Sequence, residues 1–340
     1  MENRWIRAEF DVTSGALVHL IDKRTNRDAL TGPARAELMN IEHCDTWAHQ
    51  VFRFDRSAGL FGGAQISVIE RGPVRAGVRI VTRYGDSRME QTFFLGAHDD
   101  QLVVAIRLNL REKHRMLKLC FPTEGTHDVS EIPYGVLERA GHGDEESCQR
   151  WVAVQGKSGG LAIVNDGKYS YSAPAGELRM TVSNTSAYAD HFGQSRRDEF
   201  CQYMDQDEQR LTLAVVPYSG SWKTANLNRR AALVNQPMVH VVETYHAGPL
   251  KGEYRGIRID ADNVDIGALK RAEDDHGYVL RLAETVGERV RTPIDAALFS
   301  RKWVLELGAF EIKTFYLPDD PAAEVREVLL TELEEVPENR

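Results

Sequence analysis

Hydrophobic and polar residues alternate with period two along much of this chain. In "QLVVAIRLNLRE", Leu102, Val104, Ile106, Leu108 and Leu110 fall on one side, while Arg107, Asn109 and Arg111 fall on the other. "VRAGVRIVTRYG" sets Ala76, Val78 and Ile80 against Arg75, Arg79 and Arg83, and "ELRMTVSN" repeats the pattern with Leu178, Met180 and Val182. Trp303, Leu305 and Leu307 alternate again before Phe310 and Ile312. This period marks strands with one buried face. Turn-forming stretches separate the runs: "TSG" at 13–15, "GKSGG" at 156–160, "NDGK" at 165–168 and "DDHG" at 274–277. Each predicts a hairpin loop. Many antiparallel strands joined in this way predict an all-β fold built on a large sandwich, and exclude a βαβ architecture.

Two segments predict helices. "SWKTANLNRRAALVNQP", residues 221–237, has few strand formers and stops at Pro237. The tail "DDPAAEVREVLLTELEEV" offers Asp320 as N-cap, Pro321 in the first turn, and a stripe of Val325, Val328, Leu329 and Leu333. The expected organisation is a large β domain over 1–220, a helical linker over 221–237, a smaller β-sandwich over 238–318 and a C-terminal helical tail over 319–340.

The 340 residues are 42% hydrophobic and 27% charged, the balance of a globular protein. No run approaches the roughly 18 to 20 apolar residues needed to span a bilayer, so no membrane partner is expected. The opening "ENRWIRAEFD" has no signal-peptide pattern. With 42 Lys+Arg against 51 Asp+Glu the formal charge is −9, which argues against nucleic acid as partner and leaves neutral ligands such as sugars open. Cys44, Cys120, Cys148 and Cys201 are scattered, without the spacing of a zinc ribbon or redox pair. They read as reduced thiols of a cytoplasmic protein.

Candidate chemistry concentrates in three places. "HCDTWAHQ" packs His43, Cys44, Asp45, Trp47 and His49 together. On a strand, Asp45, Trp47 and His49 would share a face, a poor metal cage but a good sugar surface, since Trp stacks on a pyranose while Asp and His bond hydroxyls. The alternatives are that Trp47 is core and its neighbours are merely solvated, or that the cluster binds metal. "VNDGKYSYS" holds Asn165, Asp166 and Gly167, whose default role is to close a hairpin, beside Lys168, Tyr169 and Tyr171, which could line a polar cleft. "YADHFGQSRRDEF" reads as a long loop carrying Asp190 and His191, either functional or simply solvated. No self-contained catalytic signature is present: there is no G-x-S-x-G elbow, P-loop, G-x-G-x-x-G or H-E-x-x-H.

Several stretches, in order, resemble the C-terminal β-sandwich region of family 38 glycoside hydrolases, the α-mannosidases. They are "ENRWIRAEFDVTSGALVHLIDKRTNRDAL", "DTWAH", "IPYGVLER", "QRWVAVQGKSGGLAIVNDGKYSYS", "VDIGALKRAEDDHGYVLRLAET" and "FEIKTFYL". Ser170 stands where the family commonly has glycine. The resemblance implies a galactose-mutarotase-like supersandwich followed by a smaller sandwich. It also implies a parent enzyme whose zinc, aspartate nucleophile and aspartate acid sit in a preceding barrel and cleave α-mannosides with retention. Nothing in this chain matches that barrel. The chain is thus expected to hold no catalytic residue and no cofactor of its own, and to be either a piece of a longer enzyme or a separately encoded subunit. Its partners would be the N-terminal barrel and a carbohydrate, with homo-oligomers through apolar surface the barrel would otherwise cover. The implied cleft candidates are Asp45, Trp47, His49, Lys168, Tyr169, Asp190 and His191. An aldose mutarotase or epimerase and a carbohydrate-binding module remain alternatives; the first needs a converging acid and base that no spacing singles out.

Overall fold

The computed structural model describes residues 1–42, 44, 46–189 and 202–332. The chain divides into two compact units, one of residues 1–131 and 137–236, the other of residues 132–136 and 237–340. Among the described residues no helix is long and apolar enough to cross a membrane.

The large unit is built on two facing antiparallel sheets. A nine-stranded sheet runs from Gly135–Arg139 at one edge to Gly62–Arg71 at the other, with Gly159–Asn165, Asp207–Ser219 and Leu102–Leu110 at its centre. A six-stranded sheet has the order His142–Ser147, Ser170–Pro174, Glu177–Asn184, Arg115–Pro122, Arg35–Asn40, Ser57–Leu60. The alternating residues named above become its filling: Leu102, Val104, Ile106, Leu108 and Leu110 meet Leu117, Leu119, Phe121, Leu178 and Met180 in one core. Period two thus translates directly into inner and outer faces.

The turn stretches mostly act as expected. "TSG" joins Ile6–Phe10 to Leu17–Asp22, "GKSGG" joins Trp151–Gln155 to Gly159–Asn165, and "DDHG" joins Val264–Arg271 to Gly277–Glu284. Gly160 is required where it stands, because a Cβ there would lie 2.1 Å from the Val154 carbonyl oxygen. "NDGK" differs. Gly159–Asn165 pairs with Trp151–Gln155 and Asp207–Ser219, while Ser170–Pro174 pairs with His142–Ser147 and Glu177–Asn184. The Asn-Asp-Gly turn therefore carries the chain from one sheet to the other and closes no hairpin. Asn165 Oδ1 accepts from the backbone N–H of Gly167 (3.0 Å) and Lys168 (2.8 Å), and its own Nδ2 donates to the Gln149 carbonyl (3.0 Å). The same side chain that favours a tight turn also serves a crossing.

Within the segment 221–237, a 3-10 turn at Trp222–Thr224 and the helix Leu227–Asn235 pack on the large unit, where Trp151 Nε1 donates to Asn228 Oδ1. The smaller unit pairs Arg258–Ile259, Val290–Ala296 and Arg301–Leu307 in one sheet and Val264–Arg271, Gly277–Glu284, Ile312–Pro318 and Arg326–Val328 in another, around Leu280, Leu282, Ile294, Leu305 and Leu317. The tail corrects its expectation. Arg326–Val328 is a strand, not a helix, and extends the sheet by pairing with Ile312–Pro318. Asp320 does accept from the Ala322 N–H (2.9 Å), but it caps a turn only. Val328 fits between Val279 and Tyr316, so pairing an open sheet edge outweighs the helical stripe.

A cavity of about 420 Å³ remains between the two sheets, lined by Phe61, Met89, Phe93, Ile106, Leu119 and Phe121 among others, and of the described cleft candidates Trp47, His49, Lys168 and Tyr169 none lines it. Thr82 also lines it, and its buried hydroxyl has no hydrogen-bond partner among the described residues. Removing an unsatisfied buried hydroxyl while keeping its shape relieves a desolvation cost. Thr82→Val is expected to stabilise the large unit by about 1 kcal/mol, read as a rise in the urea midpoint at unchanged slope.

Candidate functional site

The outer face of the six-stranded sheet is where candidate chemistry gathers. Strand Arg115–Pro122 turns Leu117, Leu119 and Phe121 into the core and sends Met116, Lys118 and Cys120 the other way. That second face is not solvated. Residues of the 41–56 segment lie over it, where Ile41, Cys44 and Phe54 pack with Met39, Met116 and Cys120. The segment is pinned at its far end as well: Arg53 bonds Asp144 Oδ1 (3.0 Å) and the His142 carbonyl (2.7 Å), and the Glu145 N–H donates to the Phe52 carbonyl (2.6 Å).

Beside this apolar patch lies a closed polar cluster. Lys118 is fully buried and donates to Glu145, to Thr181 Oγ1 (2.9 Å) and to Ser172 Oγ (3.1 Å), while Ser170 (2.5 Å) and Thr181 donate to the other Glu145 oxygen. Burial pulls the Lys118 ammonium below its ordinary range, and Glu145 opposes that shift. On the same face Arg35 pairs with Glu37 (3.0 Å) and Glu177 (2.6 Å), and Arg179 with Glu177. Facing the core, Tyr171 donates to Asp128 and accepts from Arg139 (3.0 Å); burial raises its phenol well above the usual range. Cys120 and Cys148 are pushed up to about 12 by burial, so both are inert thiols rather than nucleophiles or thiolate ligands.

The sequence-selected residues sit on and around the covering segment. Thr46, Trp47, His49 and Gln50 lie in turns, not in the strand on which a shared face was predicted, and Ala48 and Gln50 take left-handed φ of 45° and 57°. Cys44 is buried. Trp47 is 57% exposed, which removes it from the core, and its ring lies 6.0 Å from that of His49 at 31°. Thr46 Oγ1 donates to the Ala187 carbonyl (3.3 Å) and accepts from the Ala189 N–H (3.0 Å). The Trp47 turn is therefore tied to the backbone of residues 187–189, next to the bridge between Ala187 and Tyr203. Lys168 Nζ donates to Gln209 Oε1 (3.0 Å), and Gln209 donates to Ser183 Oγ (3.1 Å) and the Asp205 carbonyl (2.9 Å). Burial lowers the Lys168 pKa, with Asp205 and Asp166 opposing. Tyr169 and Tyr188 are each more than half exposed. Asp45, Asp190 and His191, with His43, lie outside the described residues. Lys118 and Glu145 were not selected from sequence, although a lysine inside "RMLKLCFP" was a visible signal.

Among the described residues no group of three or more His, Cys, Asp or Glu side chains is placed to hold a metal ion. Cys120 and Cys148 hold their protons, and the clustered carboxylates are already paired with Lys118, Arg35, Arg150 or Arg179. Zinc does not fit these residues. The arrangement suits a binding wall: exposed aromatic faces at Trp47, Tyr169 and Tyr188 beside a partly buried ammonium, on a turn anchored to a rigid sheet.

Residues 1–192 match the family described as glycosyl hydrolases family 38 C-terminal domain. The chain belongs to this family. Among curated proteins, this family 38 chain is 22% identical over 300 residues to alpha-mannosidase G of Dictyostelium discoideum, covering 81% of the chain and 26% of that protein. It is 23% identical over 310 residues to human alpha-mannosidase 2C1, covering 85% of the chain and 28% of that protein. It thus spans about a quarter of the length of the curated relatives it matches. An alpha-mannosidase from Enterococcus faecalis V583 superposes with a TM-score of 0.77 at 15% identity, over 93% of this chain and 42% of that one. At that identity the likeness speaks for the fold alone, and it extends across both β units.

Proposed function

We propose that this chain is the sandwich portion of a family 38 α-mannosidase, which supports a catalytic barrel and walls its carbohydrate cleft without cleaving the bond itself. The observation that carries the reading is the match of residues 1–192 to the family's C-terminal domain. In this reading Trp47 offers its ring to the C–H face of a pyranose, with His49 backing the ring. Lys168 and Tyr169 turn donors toward hydroxyls, and Asp45, Asp190 and His191 complete the wall. Zinc, in this reading, belongs to the barrel, where it would supply Lewis-acid chemistry. The thiol state of Cys44, Cys120 and Cys148 supports a cytoplasmic location.

Hydrolysis of an aryl α-mannoside by the chain alone tests the proposal, with added zinc and after chelation. No turnover above blank is expected in either condition. Joined to its barrel, the Trp47→Ala variant is expected to lose about tenfold or more in kcat/KM, the scale of about 1.4 kcal/mol of lost stacking. Zinc-dependent turnover by the isolated chain would sink the reading, and catalysed anomer interconversion of free aldoses would replace it with a mutarotase.

A further inference from the structure

Residues 237–255 follow the helix Leu227–Asn235 with no strand or helix, and every one of them is exposed. Their sequence is not that of a solvated linker. "MVHVVETYHAGPL", residues 238–250, is rich in β-branched and aromatic residues, whereas flexible linkers are rich in Gly, Ser and charge. Val239 is 94% exposed, Val242 is 92% and Val241 is 81%, and Met238, Tyr245 and Leu250 are similarly bare. Residues 238–255 make no backbone–backbone hydrogen bond to any other described residue. The stretch is a strand in composition that lacks both a ladder and a cover.

Successive side chains of an extended segment point to opposite faces. Val241 and Val242 therefore need covering on both faces at once. Pairing with a second copy would satisfy the backbone along one edge but leave both apolar faces in water, and isolated two-stranded ribbons are marginal. A groove that covers both faces and offers backbone partners satisfies every requirement. The chain spans about a quarter of the length of its curated relatives, so most of such a protein is available to provide that groove.

We propose that residues 238–250 dock in extended form into an apolar groove of the catalytic portion of the same enzyme. Met238, Val239, Val241, Val242, Tyr245 and Leu250 are the anchors. This rests on the reading of the chain as one part of a longer α-mannosidase, and it names the segment that joins the parts.

The test uses the full chain and the catalytic portion that precedes it, produced as two polypeptides, with wild type compared to a Val241→Asp/Val242→Asp variant. Wild type should co-elute with the catalytic portion, and amides of 238–250 should exchange about a hundredfold more slowly in the complex than in the free chain. The variant should bind about tenfold or more weakly, while its own melting temperature stays unchanged because Val241 and Val242 are 81% and 92% exposed in the free chain. Equal binding by the variant, or free-chain exchange rates within the complex, would overturn the inference and leave the functional reading standing. A wild-type chain that fails to bind the catalytic portion would sink the functional reading and this inference with it. Self-association abolished by the two aspartates, with the complex unaffected, would assign the segment to a second copy and overturn the proposal.

Discussion

Glu145→Ala is expected to lower the stability of the large unit by about 3–5 kcal/mol. Lys118 is fully buried at the centre of the six-stranded sheet, and Glu145 is the charge that answers it. Removing the carboxylate leaves the ammonium, among the described residues, with the Ser172 and Thr181 hydroxyls as hydrogen-bond partners, and burial then dominates the position of its proton, with the Arg179 charge acting in the same direction. The sign of the pH dependence follows. Burial holds the folded-state pKa of Lys118 below its ordinary value, so the unfolded chain binds more protons in the window between the two values. Stability therefore rises with pH through that window. In the variant the folded pKa falls further, the window widens downward, and the deficit shrinks as the buffer becomes alkaline. A Lys118→Met/Glu145→Leu pair should recover most of the loss, because a buried ion pair contributes little net stability over an apolar one of similar size. Urea midpoints across a double-mutant cycle read both effects; a single variant within 1 kcal/mol of wild type would contradict the account.

The smaller unit should depend on Glu284 to a similar degree. This side chain is fully buried and accepts from the backbone N–H groups of Val286 (2.9 Å), Gly287 (2.8 Å) and Phe310 (2.8 Å), and from Asn263 Nδ2 (3.0 Å). Burial alone would raise its pKa, but the backbone donors of Phe310 and Val286 outweigh it and hold the carboxyl below its ordinary 4.5. A depressed folded pKa gives stability that is present above the unfolded value and lost as pH falls through the folded one. Glu284→Ala orphans three backbone donors and is expected to cost about 3 kcal/mol at neutral pH, with a flatter decline into acid than wild type. Glu284→Gln keeps the shape, loses the charge and should fall between. Unfolding of the smaller unit at pH 7 and pH 3 separates them, and identical acid slopes in all three proteins would refute the role given to the carboxylate.

Much of the fold was legible because inner faces announce themselves. Leu102–Leu110 and Arg75–Tyr84 are strands where alternation placed them. What escaped was whatever local chemistry leaves ambiguous. Asn-Asp-Gly bends the chain in the same manner whether the next strand returns to its own sheet or crosses to another, so only the partners of Ser170–Pro174 decide. Val325 and Val328 are spaced for a helix, yet Val328 is also the third residue of a short strand, and the open edge beside it decides the outcome. Lys118 stood on the alternating face that a sandwich leaves to solvent. The loop that covers it carries no periodic mark, so its burial could not be read. For the candidate site, the sequence left Trp47 as core or surface, and its exposure was the missing fact. The segment 238–250 shows the reverse: its composition is that of a buried strand, and its residues are exposed.

The order of strands in the six-stranded sheet has a consequence for how the protein is made. Arg35–Asn40 has no long neighbour of its own age: it pairs with the short Ser57–Leu60 and then waits for Arg115–Pro122. At about 5–20 residues per second, the roughly 75 residues between them take on the order of 4–15 s to emerge from the ribosome. Throughout that interval Arg35–Asn40 lacks the long neighbour of its own sheet, and Glu177–Asn184 arrives later still. The nascent chain thus passes through a stage in which this apolar strand, short of its main partner, is a binding site for chaperones, and slowing translation across residues 41–115 should lengthen that stage and reduce the folded yield.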